Sequence, residues 1–214
     1  TSSIAVYGRN QLPMTEETVP QPEDPYGIAK YAVEMDLQAA HHQFGLNYVI
    51  FRPHNVYGER QNIGDKYRNV LGIFMNQIMK GQPMTIFGDG TQTRAFSHID
   101  DVAPVIAASA GRPDCYNEAY NVGADIWIDV NTLAGMVAEA FGVEPVIQHV
   151  PARNEVQHAY SSHEKIRKRV GYEPKVDLGV GISRMMEWAR SHGPRQSPPF
   201  ANIEVNNNLP QAWR

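Results

Sequence analysis

The pattern of apolar and polar positions predicts that the chain begins with a strand, a helix and a second strand. Ile4–Tyr7 is a short apolar run, which we predict to be the end of a buried strand. From about Tyr26 to Gln43, apolar residues recur every three or four positions, as in an amphipathic helix. Leu46–Phe51 shows too little alternation for a strand with one wet face. This order is typical of a parallel sheet, so the sequence predicts an α/β fold.

The first predicted helix has a clear start and a clear end. Asp24 precedes Pro25, which places a favoured N-cap residue before a proline at the first helical position. His41 and His42 fall in the last turn, and Gly45 follows as the stop.

From about residue 60 the pattern changes to short strands mixed with helices, which indicates a smaller α+β lobe. We interpret Gly88-Asp89-Gly90 as a hairpin turn. Asp100-Asp101 is interpreted as the cap of a helix. Helices are predicted at about 68–80, 100–110, 130–141, 162–170 and 180–191, and strands at 84–87, 96–99, 120–122 and 146–148.

Composition excludes several classes of protein. The 214 residues carry a formal net charge of −4, which gives no general attraction for nucleic acid. No apolar run approaches the roughly 20 residues of a membrane span, so no membrane partner is expected. Cys115 is the single cysteine, which excludes disulfides within the chain and favours a reducing, cytoplasmic location. The eight histidines show no metal-ligand spacing, so no metal is predicted.

Tyr26 and Lys30 are the strongest candidates for chemistry. Residues four apart lie one turn apart on the same face of a helix. A phenol has a reference pKa near 10, and a neighbouring ammonium group stabilises its phenolate. The helix N-terminus stabilises a phenolate in the same way. Taken alone, however, a tyrosine and a lysine at this spacing are also compatible with an ordinary surface pair.

Further patterns surround this pair in a fixed order. They are Ser-Ser-x-x-Val-Tyr-Gly at 2–8, Pro-Tyr-Gly-x-x-Lys at 25–30, Arg-Pro-x-Asn-Val-Tyr-Gly at 52–58, the run Phe87–Val102, and Tyr-Asn-Val-Gly at 120–123. Together they resemble the nucleotide-sugar epimerase/dehydratase branch of the extended short-chain dehydrogenases, and most closely its UDP-glucose 4-epimerases. The resemblance covers about residues 1–190.

The resemblance implies a division of the chain. Residues 1–60 would be the C-terminal portion of an NAD-binding Rossmann domain, with a parallel sheet. Residues 61–193 would mainly form the α+β lobe that binds the nucleotide sugar, and 194–214 an extended tail. The seventeen glycines do not form the glycine-rich pattern that receives the pyrophosphate of NAD. We therefore expect the first half of the dinucleotide domain to be missing, and the chain alone to bind NAD weakly and to be inactive.

The resemblance also implies residue roles. Ser3, Tyr26 and Lys30 would be catalytic, with Tyr26 as the general base and acid, and Tyr26, Lys30 and Pro53 would contact NAD. The residues implied to bind the substrate are Asn55, Asn69, Thr85, Phe87, Arg94 and Arg153. Other interpretations stay open: Asn55 as the cap of its own turn, Phe87 as a core residue, and Arg153 as a solvated loop charge.

The activity implied is NAD-dependent 4-epimerisation of a UDP-sugar through a 4-keto intermediate, by a homodimer. UDP-glucose and UDP-galactose are the expected substrates. If Ala159 lies where relatives admit or exclude an N-acetyl group, N-acetylated sugars fit as well; if Tyr160 does, they are excluded. Relatives that eliminate water carry Asp-Glu where this chain has Ile4-Ala5, which disfavours dehydration. The alternatives are another nucleotide-sugar epimerase or reductase, such as a UDP-glucuronate 4-epimerase, and a non-catalytic NAD-binding sensor.

Overall fold

The structure, a computed structural model, describes residues 1–65, 68–153 and 155–196. Two 3-10 helices occur at Ile4–Tyr7 and Pro113–Cys115. The other elements are α1 (Pro25–Phe44), β1 (Val49–Pro53), β2 (Val56–Tyr57), α2 (Val70–Met79), β3 (Met84–Phe87), β4 (Thr93–Ala95), β5 (Ser97–His98), α3 (Ile99–Ser109), β6 (Glu118–Val122), β7 (Trp127–Asp129), α4 (Val130–Phe141), β8 (Ile147–Val150), β9 (His158–Ala159), α5 (Glu164–Val170) and α6 (Leu178–His192).

The chain divides into two compact units that are interleaved along the sequence. The first unit comprises residues 1–56, 92–128 and 156–178, and the second comprises 57–91, 129–155 and the chain from 179 onward. The functional division at residues 60 and 193 stays a prediction. The tail predicted for 194–214 lies, from residue 197, outside the described residues.

The first unit contains a parallel pair of strands. β1 pairs in parallel with β6, with Val49 opposite Glu118 and Pro53 opposite Val122. The three central residues of β1 are buried, as its lack of alternation predicted. Because α1 precedes β1 and the two strands run in the same direction, the predicted α/β class with a parallel sheet is confirmed.

Helix α1 begins and ends where the sequence indicated. The side chain of Asp24 accepts a hydrogen bond of 2.6 Å from the backbone N–H of Gly27, and Pro25 is the first helical residue. At the other end Gly45 adopts the left-handed conformation with φ of 69°, and its N–H donates to the carbonyl of His41. Both caps satisfy backbone groups that a helix end otherwise leaves without partners.

The strand predicted at Ile4–Tyr7 is wrong, because these residues form a 3-10 helix. The side chain of Ser3 accepts a hydrogen bond of 3.2 Å from the N–H of Ala5 and caps this helix. Ser2 instead donates its backbone N–H to the carbonyl of Phe51 at 2.7 Å. A four-residue apolar run shows that a segment is buried, but its periodicity cannot distinguish a strand from one helical turn.

The hairpin predicted around Gly88-Asp89-Gly90 is also wrong. β3 pairs in parallel with β8, and the N–H of Gly88 continues that ladder by donating to Val150 at 2.9 Å. β4 pairs in parallel with β9 instead of turning back onto β3. Parallel strands cannot be joined by a tight turn, so the glycines here end one strand and lead to another sheet.

The predicted cap of α3 needs a smaller correction. The N-cap is His98, whose ring nitrogen Nδ1 accepts from the N–H of Asp100 at 3.2 Å. Asp100 and Asp101 lie inside the first turn, where their charge still favours the positive end of the helix.

Each unit has its own apolar interior. In the first unit one cluster is formed by Phe51, Val102, Cys115, Tyr120, Val122, Ile166 and Tyr172, and a second by Ile4, Val6, Tyr7 and Met14. In the second unit the buried apolar residues include Leu71, Phe74, Met84, Ile86, Leu133, Val137, Ile182 and Met185. Across the described residues, no helix is long and apolar enough to cross a membrane.

Candidate active site

The predicted acid–base pair lies at the start of α1, in the first unit. The Nζ atom of Lys30 is 5.8 Å from the centre of the Tyr26 ring. The same ammonium donates a hydrogen bond of 2.9 Å to the backbone carbonyl of Thr1. Tyr26 is 49% exposed, so its phenol is accessible. The structure therefore brings these two side chains together on one helix face, while their catalytic role stays a prediction.

Ser3 lies on a segment that packs against the same helix. It caps the 3-10 helix Ile4–Tyr7, which contacts α1. The approach is closest at Gly27, where a Cβ atom would lie 2.6 Å from the carbonyl oxygen of Ala5. No side chain fits at that distance, so the glycine between Tyr26 and Lys30 lets the two backbones meet.

A buried polar network lies beneath these elements. Arg52 of β1 binds the carboxylate of Glu34 through two hydrogen bonds, with Nε at 3.0 Å from Oε1. Burial disfavours the charge of Arg52, but the hydrogen bonds that it donates to Glu34 and Tyr7, together with the charges of these two groups, outweigh burial and raise the pKa of the guanidinium. Arg52 also donates to the hydroxyl of Tyr7 at 2.8 Å, and burial raises the pKa of that phenol to about 12.

A second buried polar network begins at His54. This residue directly follows Pro53, the predicted cofactor contact at the end of β1. The Nε2 atoms of His54 and His163 lie 3.0 Å apart, and both rings are buried. His163 donates from Nδ1 to Asp125 at 2.8 Å, and Arg167 binds the other carboxylate oxygen. Burial, and then the charge of His163, lowers the pKa of His54 to about 3. Burial also lowers the pKa of His163.

The two predicted substrate residues of the first unit, Asn55 and Arg94, are both held at β4. Asn55 has a positive φ of 32°, and its side chain donates to the carbonyl of Ala95 at 3.0 Å. It therefore binds a strand 40 residues away and does not cap its own turn. Arg94 donates to the carbonyls of Thr93, Gln157 and Val156 at 2.6–2.8 Å, which fixes the direction of its guanidinium.

In the second unit, Phe87 and Arg153 lie together. The guanidinium carbon of Arg153 is 4.5 Å from the centre of the Phe87 ring, within the range of a cation–π contact. Arg153 also pairs with Glu155 at 3.2 Å. Phe87 is half-buried at the end of β3 and is not a core residue. Arg153 is exposed on its loop, so its interpretation as a solvated charge stays open beside this ring contact.

Thr85 and Asn69 complete the predicted substrate residues. The side-chain amide of Gln77 donates to the hydroxyl of Thr85 and accepts from its backbone N–H, both at 3.0 Å. Asn69 is the N-cap of α2 in a left-handed conformation, and its side chain makes no capping bond. Gln77 was not identified from the sequence, although its place on α2, just before β3, could have suggested contact with that strand.

The backbone groups of Thr85 and Phe87 share a direction on β3. The N–H groups of Met84 and Gly88 point to β8, where they bind the carbonyls of Val146 and Val150. Because backbone groups alternate along a strand, those of Thr85 and Phe87 point to the opposite edge. On that edge the N–H of Thr85 is bound by Oε1 of Gln77.

Comparison with known sequences identifies the family to which the chain belongs. Residues 1–123 match the NAD dependent epimerase/dehydratase family. The chain belongs to that family.

Several relatives are enzymes of nucleotide-sugar metabolism. The UDP-glucose 4-epimerase of Mycolicibacterium smegmatis is 30% identical over 194 residues, with 89% of this chain and 61% of the relative covered. The crystal structure of UDP-glucose 4-epimerase from Thermotoga maritima with UDP-glucose has 32% identity and a TM-score of 0.82, covering 90% of this chain and 62% of that one. UDP-glucuronic acid 4-epimerase from Bacillus cereus, solved with UDP-glucuronic acid and NAD, has 26% identity and a TM-score of 0.83, covering 89% and 60%. The chain thus spans about three fifths of the length of these relatives.

Proposed function

We propose that the whole protein is an NAD-dependent 4-epimerase of a UDP-sugar, acting in the cytoplasm through a 4-keto intermediate. The observation that carries this proposal is the placement of Lys30 beside the exposed Tyr26, on a helix turn that packs against the Ser3 segment. A phenol, an ammonium group and a hydroxyl are the set that proton transfer from a sugar hydroxyl requires.

The chemistry of the donors present fits the nicotinamide end of NAD. Tyr26 and Lys30 would contact the nicotinamide and its ribose, and Pro53 would contact the same end. Pro53 closes β1 at its carboxyl end, the edge at which open parallel sheets bind ligands. When bound, NAD supplies a site that accepts a hydride from the sugar and returns it.

The chain's own residues would move the proton. Tyr26, as phenolate, would take the proton of the sugar 4-hydroxyl and later return it. Lys30 would stabilise the phenolate through its charge. Ser3 would hold the reacting hydroxyl and help relay the proton. The 4-keto sugar would turn over in the site before the hydride returns to its other face.

The substrate residues would divide the nucleotide sugar between them. Thr85 and Phe87, on β3, would hold the uracil. Arg94 and Arg153 would bind the diphosphate, because a guanidinium group donates two parallel hydrogen bonds to phosphate. Asn55 and Asn69 would add amide contacts to the phosphates or the sugar.

Sugar choice is proposed to include UDP-glucose and UDP-galactose. Tyr160 stacks on Trp127 with 5.5 Å between ring centres, and Ala159 packs on the cluster around Tyr7. A Tyr160 held by this stacking favours Ala159 as the residue that borders the sugar and leaves room for an N-acetyl group. UDP-glucuronate remains the alternative substrate, as in the Bacillus cereus enzyme. Ile4 and Ala5 follow Ser3 without an acidic pair, which supports epimerisation over dehydration.

The test is turnover by the whole protein. Supplied with NAD, it should interconvert UDP-glucose and UDP-galactose, measured by chromatography of the sugars, with UDP-N-acetylglucosamine and UDP-glucuronate tested in parallel. Tyr26→Phe should lower kcat by at least about 100-fold, the usual contribution of a general base. Tyr31→Phe, one turn along the same helix, is the matched control and should stay active. No interconversion of any of these sugars would reject the proposal.

Two further properties belong to this proposal. The whole protein would be a homodimer, and the support is the set of exposed apolar residues on α1, which includes Ile28, Val33 and Met35. Sedimentation at equilibrium measures this directly. The 214-residue chain alone should bind NAD weakly and show no turnover, because its sequence carries no glycine-rich pyrophosphate loop.

A further inference from the structure

The sequence patterns that surround the acid–base pair meet at one buried guanidinium group. Arg52 holds Glu34 through Nε and one terminal nitrogen, at 3.0 and 2.5 Å. Its other terminal nitrogen donates to the hydroxyl of Tyr7 at 2.8 Å. That hydroxyl in turn donates to the side chain of Asn121 at 2.8 Å. All four side chains are buried, and none is needed for the proposed proton transfer.

Each partner of Arg52 lies on an element that carries a proposed catalytic residue. Tyr7 is the last residue of the 3-10 helix that Ser3 caps. Glu34 lies on α1, one turn beyond Lys30. Arg52 therefore connects, through the side chains of Tyr7 and Glu34, the segment that bears the hydroxyl and the helix that bears the phenol and the ammonium group.

Helix α1 also meets the first unit through Tyr31, which packs on the cluster around Tyr7, and through the bond of Lys30 to Thr1. Only Gly27 and Glu34 are buried among its residues. Gly27 contributes close backbone contact but no directional bond. The bidentate pair of Glu34 with Arg52 does restrict direction, because a planar guanidinium and a carboxylate bind in a narrow range of orientations. A buried ion pair adds little net stability, so orientation is the better account of it.

We propose that Arg52 is a positioning residue for the reaction, which acts through Tyr7 and Glu34 to set the distance between the Ser3 hydroxyl and the Tyr26–Lys30 pair. This inference rests on the proposed function, since it concerns the geometry of that acid–base set. Tyr7 is the more informative of the two links, because its loss leaves the Arg52–Glu34 ion pair in place.

The test compares Tyr7→Phe with Tyr172→Phe in the whole protein. Both substitutions remove one buried phenolic hydroxyl that makes a hydrogen bond, and Tyr172 donates to the carbonyl of Gly123 at 3.0 Å. Tyr7→Phe should lower kcat about tenfold with KM within about twofold, because small misplacements of reacting groups cost large factors in rate. Tyr172→Phe should lose similar stability and keep its kcat within about twofold.

Hydrogen exchange supplies a readout that does not depend on turnover. The N–H groups of Val6 and Gly8 are bonded within the segment that Tyr7 ends, at 3.2 and 3.4 Å. Tyr7→Phe should speed their exchange about tenfold or more, and Tyr172→Phe should not. The N–H of Gly45, at the far end of α1, serves as the reference and should be unchanged.

A second variant tests the positioning role in a protein that is expected to remain folded. Arg52→Met combined with Glu34→Leu replaces the ion pair by apolar side chains of similar size, which proteins often tolerate. It should stay folded, with kcat lowered at least about tenfold and KM little changed.

The outcomes separate the two proposals. Wild-type protein without turnover would reject the proposed function, and exchange of the Val6 and Gly8 amides would then decide whether Tyr7 holds the segment. Unchanged kcat and unchanged exchange in Tyr7→Phe would overturn the positioning role. Equal losses of kcat in Tyr7→Phe and Tyr172→Phe would also overturn it, because they would reflect stability alone.

Discussion

The interiors of the two units contain different kinds of contact. Of the twelve buried polar or charged side chains in the described residues, eleven lie in the first unit and one, Asn76, lies in the second. The first unit contains buried networks around Arg52 and around His54. The second unit packs α2, α4 and β3 through apolar side chains.

The difference follows from what each unit has to fix. Apolar packing is roughly non-directional, so it stabilises a fold without setting a bond angle. Hydrogen bonds between buried charged groups restrict direction and are costly when half of the pair is lost. The first unit carries the proposed acid–base groups, whose relative positions matter most. In the second unit the proposed ligand contacts include the half-buried end of β3.

The largest expected effect comes from breaking the Arg52 pair on one side. Arg52→Met leaves the buried Glu34 without its cation, and should lower the free energy of unfolding by about 3–5 kcal/mol. Adding Glu34→Leu should restore much of this loss, because no buried charge then lacks a partner. Urea unfolding of the two variants and the wild type measures both changes.

The second unit provides the control for that prediction. Arg184 pairs with Glu59 at 2.9 Å, but the two side chains are 40% and 27% exposed. Arg184→Met should therefore cost less than about 1 kcal/mol, as exposed ion pairs usually do. Equal losses from Arg52→Met and Arg184→Met would contradict the contrast between the units.

The sequence predicted those parts of the fold that depend on local chemistry. Asp24, Pro25 and Gly45 define the ends of α1 by capping, which needs only neighbouring residues. The helix Val130–Phe141 was predicted at its observed bounds, because its apolar spacing is regular. The pairing of Tyr26 with Lys30 also follows from helical spacing alone.

Contacts between distant residues could not be derived in that way. Ile4–Tyr7 is apolar in either a strand or a helical turn, and only the cap by Ser3 distinguishes them. The segment at Gly88 is flanked by short strands, which is typical of a hairpin. The true partner of β3 is a strand about sixty residues later, and local sequence does not indicate it. The sequence motifs contain Tyr7 and Arg52, and Glu34 follows one of them closely. Nothing in the spacing of these three residues shows that they meet.

Acid should weaken the first unit through its buried histidines. Burial and the charge of His163 lower the pKa of His54 to about 3, while the unfolded chain keeps the ordinary value of 6.5. Between these values the unfolded state binds the extra proton, so stability falls as the pH drops, by about 1.4 kcal/mol per unit. As the pH falls from 6.5 to 4.5, the free energy of unfolding of His54→Gln should therefore decrease by about 2–3 kcal/mol less than that of the wild type.

The measurement is chemical unfolding at both pH values. The other groups that face the pair, Asp125, Arg167 and Tyr172, are present in both proteins, so the difference between them isolates His54. Parallel loss of stability in the wild type and in His54→Gln would show that His54 does not remain neutral in the folded state.

Glycine substitutions test the close packing of the first unit at a single position. At Gly27 a Cβ atom would lie 2.6 Å from the carbonyl oxygen of Ala5, so Gly27→Ala should cost about 1–3 kcal/mol despite the better helix propensity of alanine. Gly135 lies in α4 of the second unit, with nothing within 4 Å of the corresponding position. Gly135→Ala should therefore stabilise by about 0.5–1 kcal/mol. Thermal unfolding of both variants is the measurement, and a stabilised Gly27→Ala would contradict the close approach.

The smallest effect on stability is expected in the second unit, at Arg153. Its contacts with the Phe87 ring and with Glu155 are partly exposed, so Arg153→Gln should cost at most about 1 kcal/mol. If Arg153 binds the diphosphate, the same change should raise KM about tenfold or more, since a charge-assisted hydrogen bond is worth about 1.5–3 kcal/mol. Arg190 lies over Phe141 at 5.1 Å in the same unit, which makes Arg190→Gln the matched control. Unfolding and steady-state kinetics should give similar stability losses for the two variants and a raised KM for Arg153→Gln alone, and equal KM values would remove Arg153 from the substrate site.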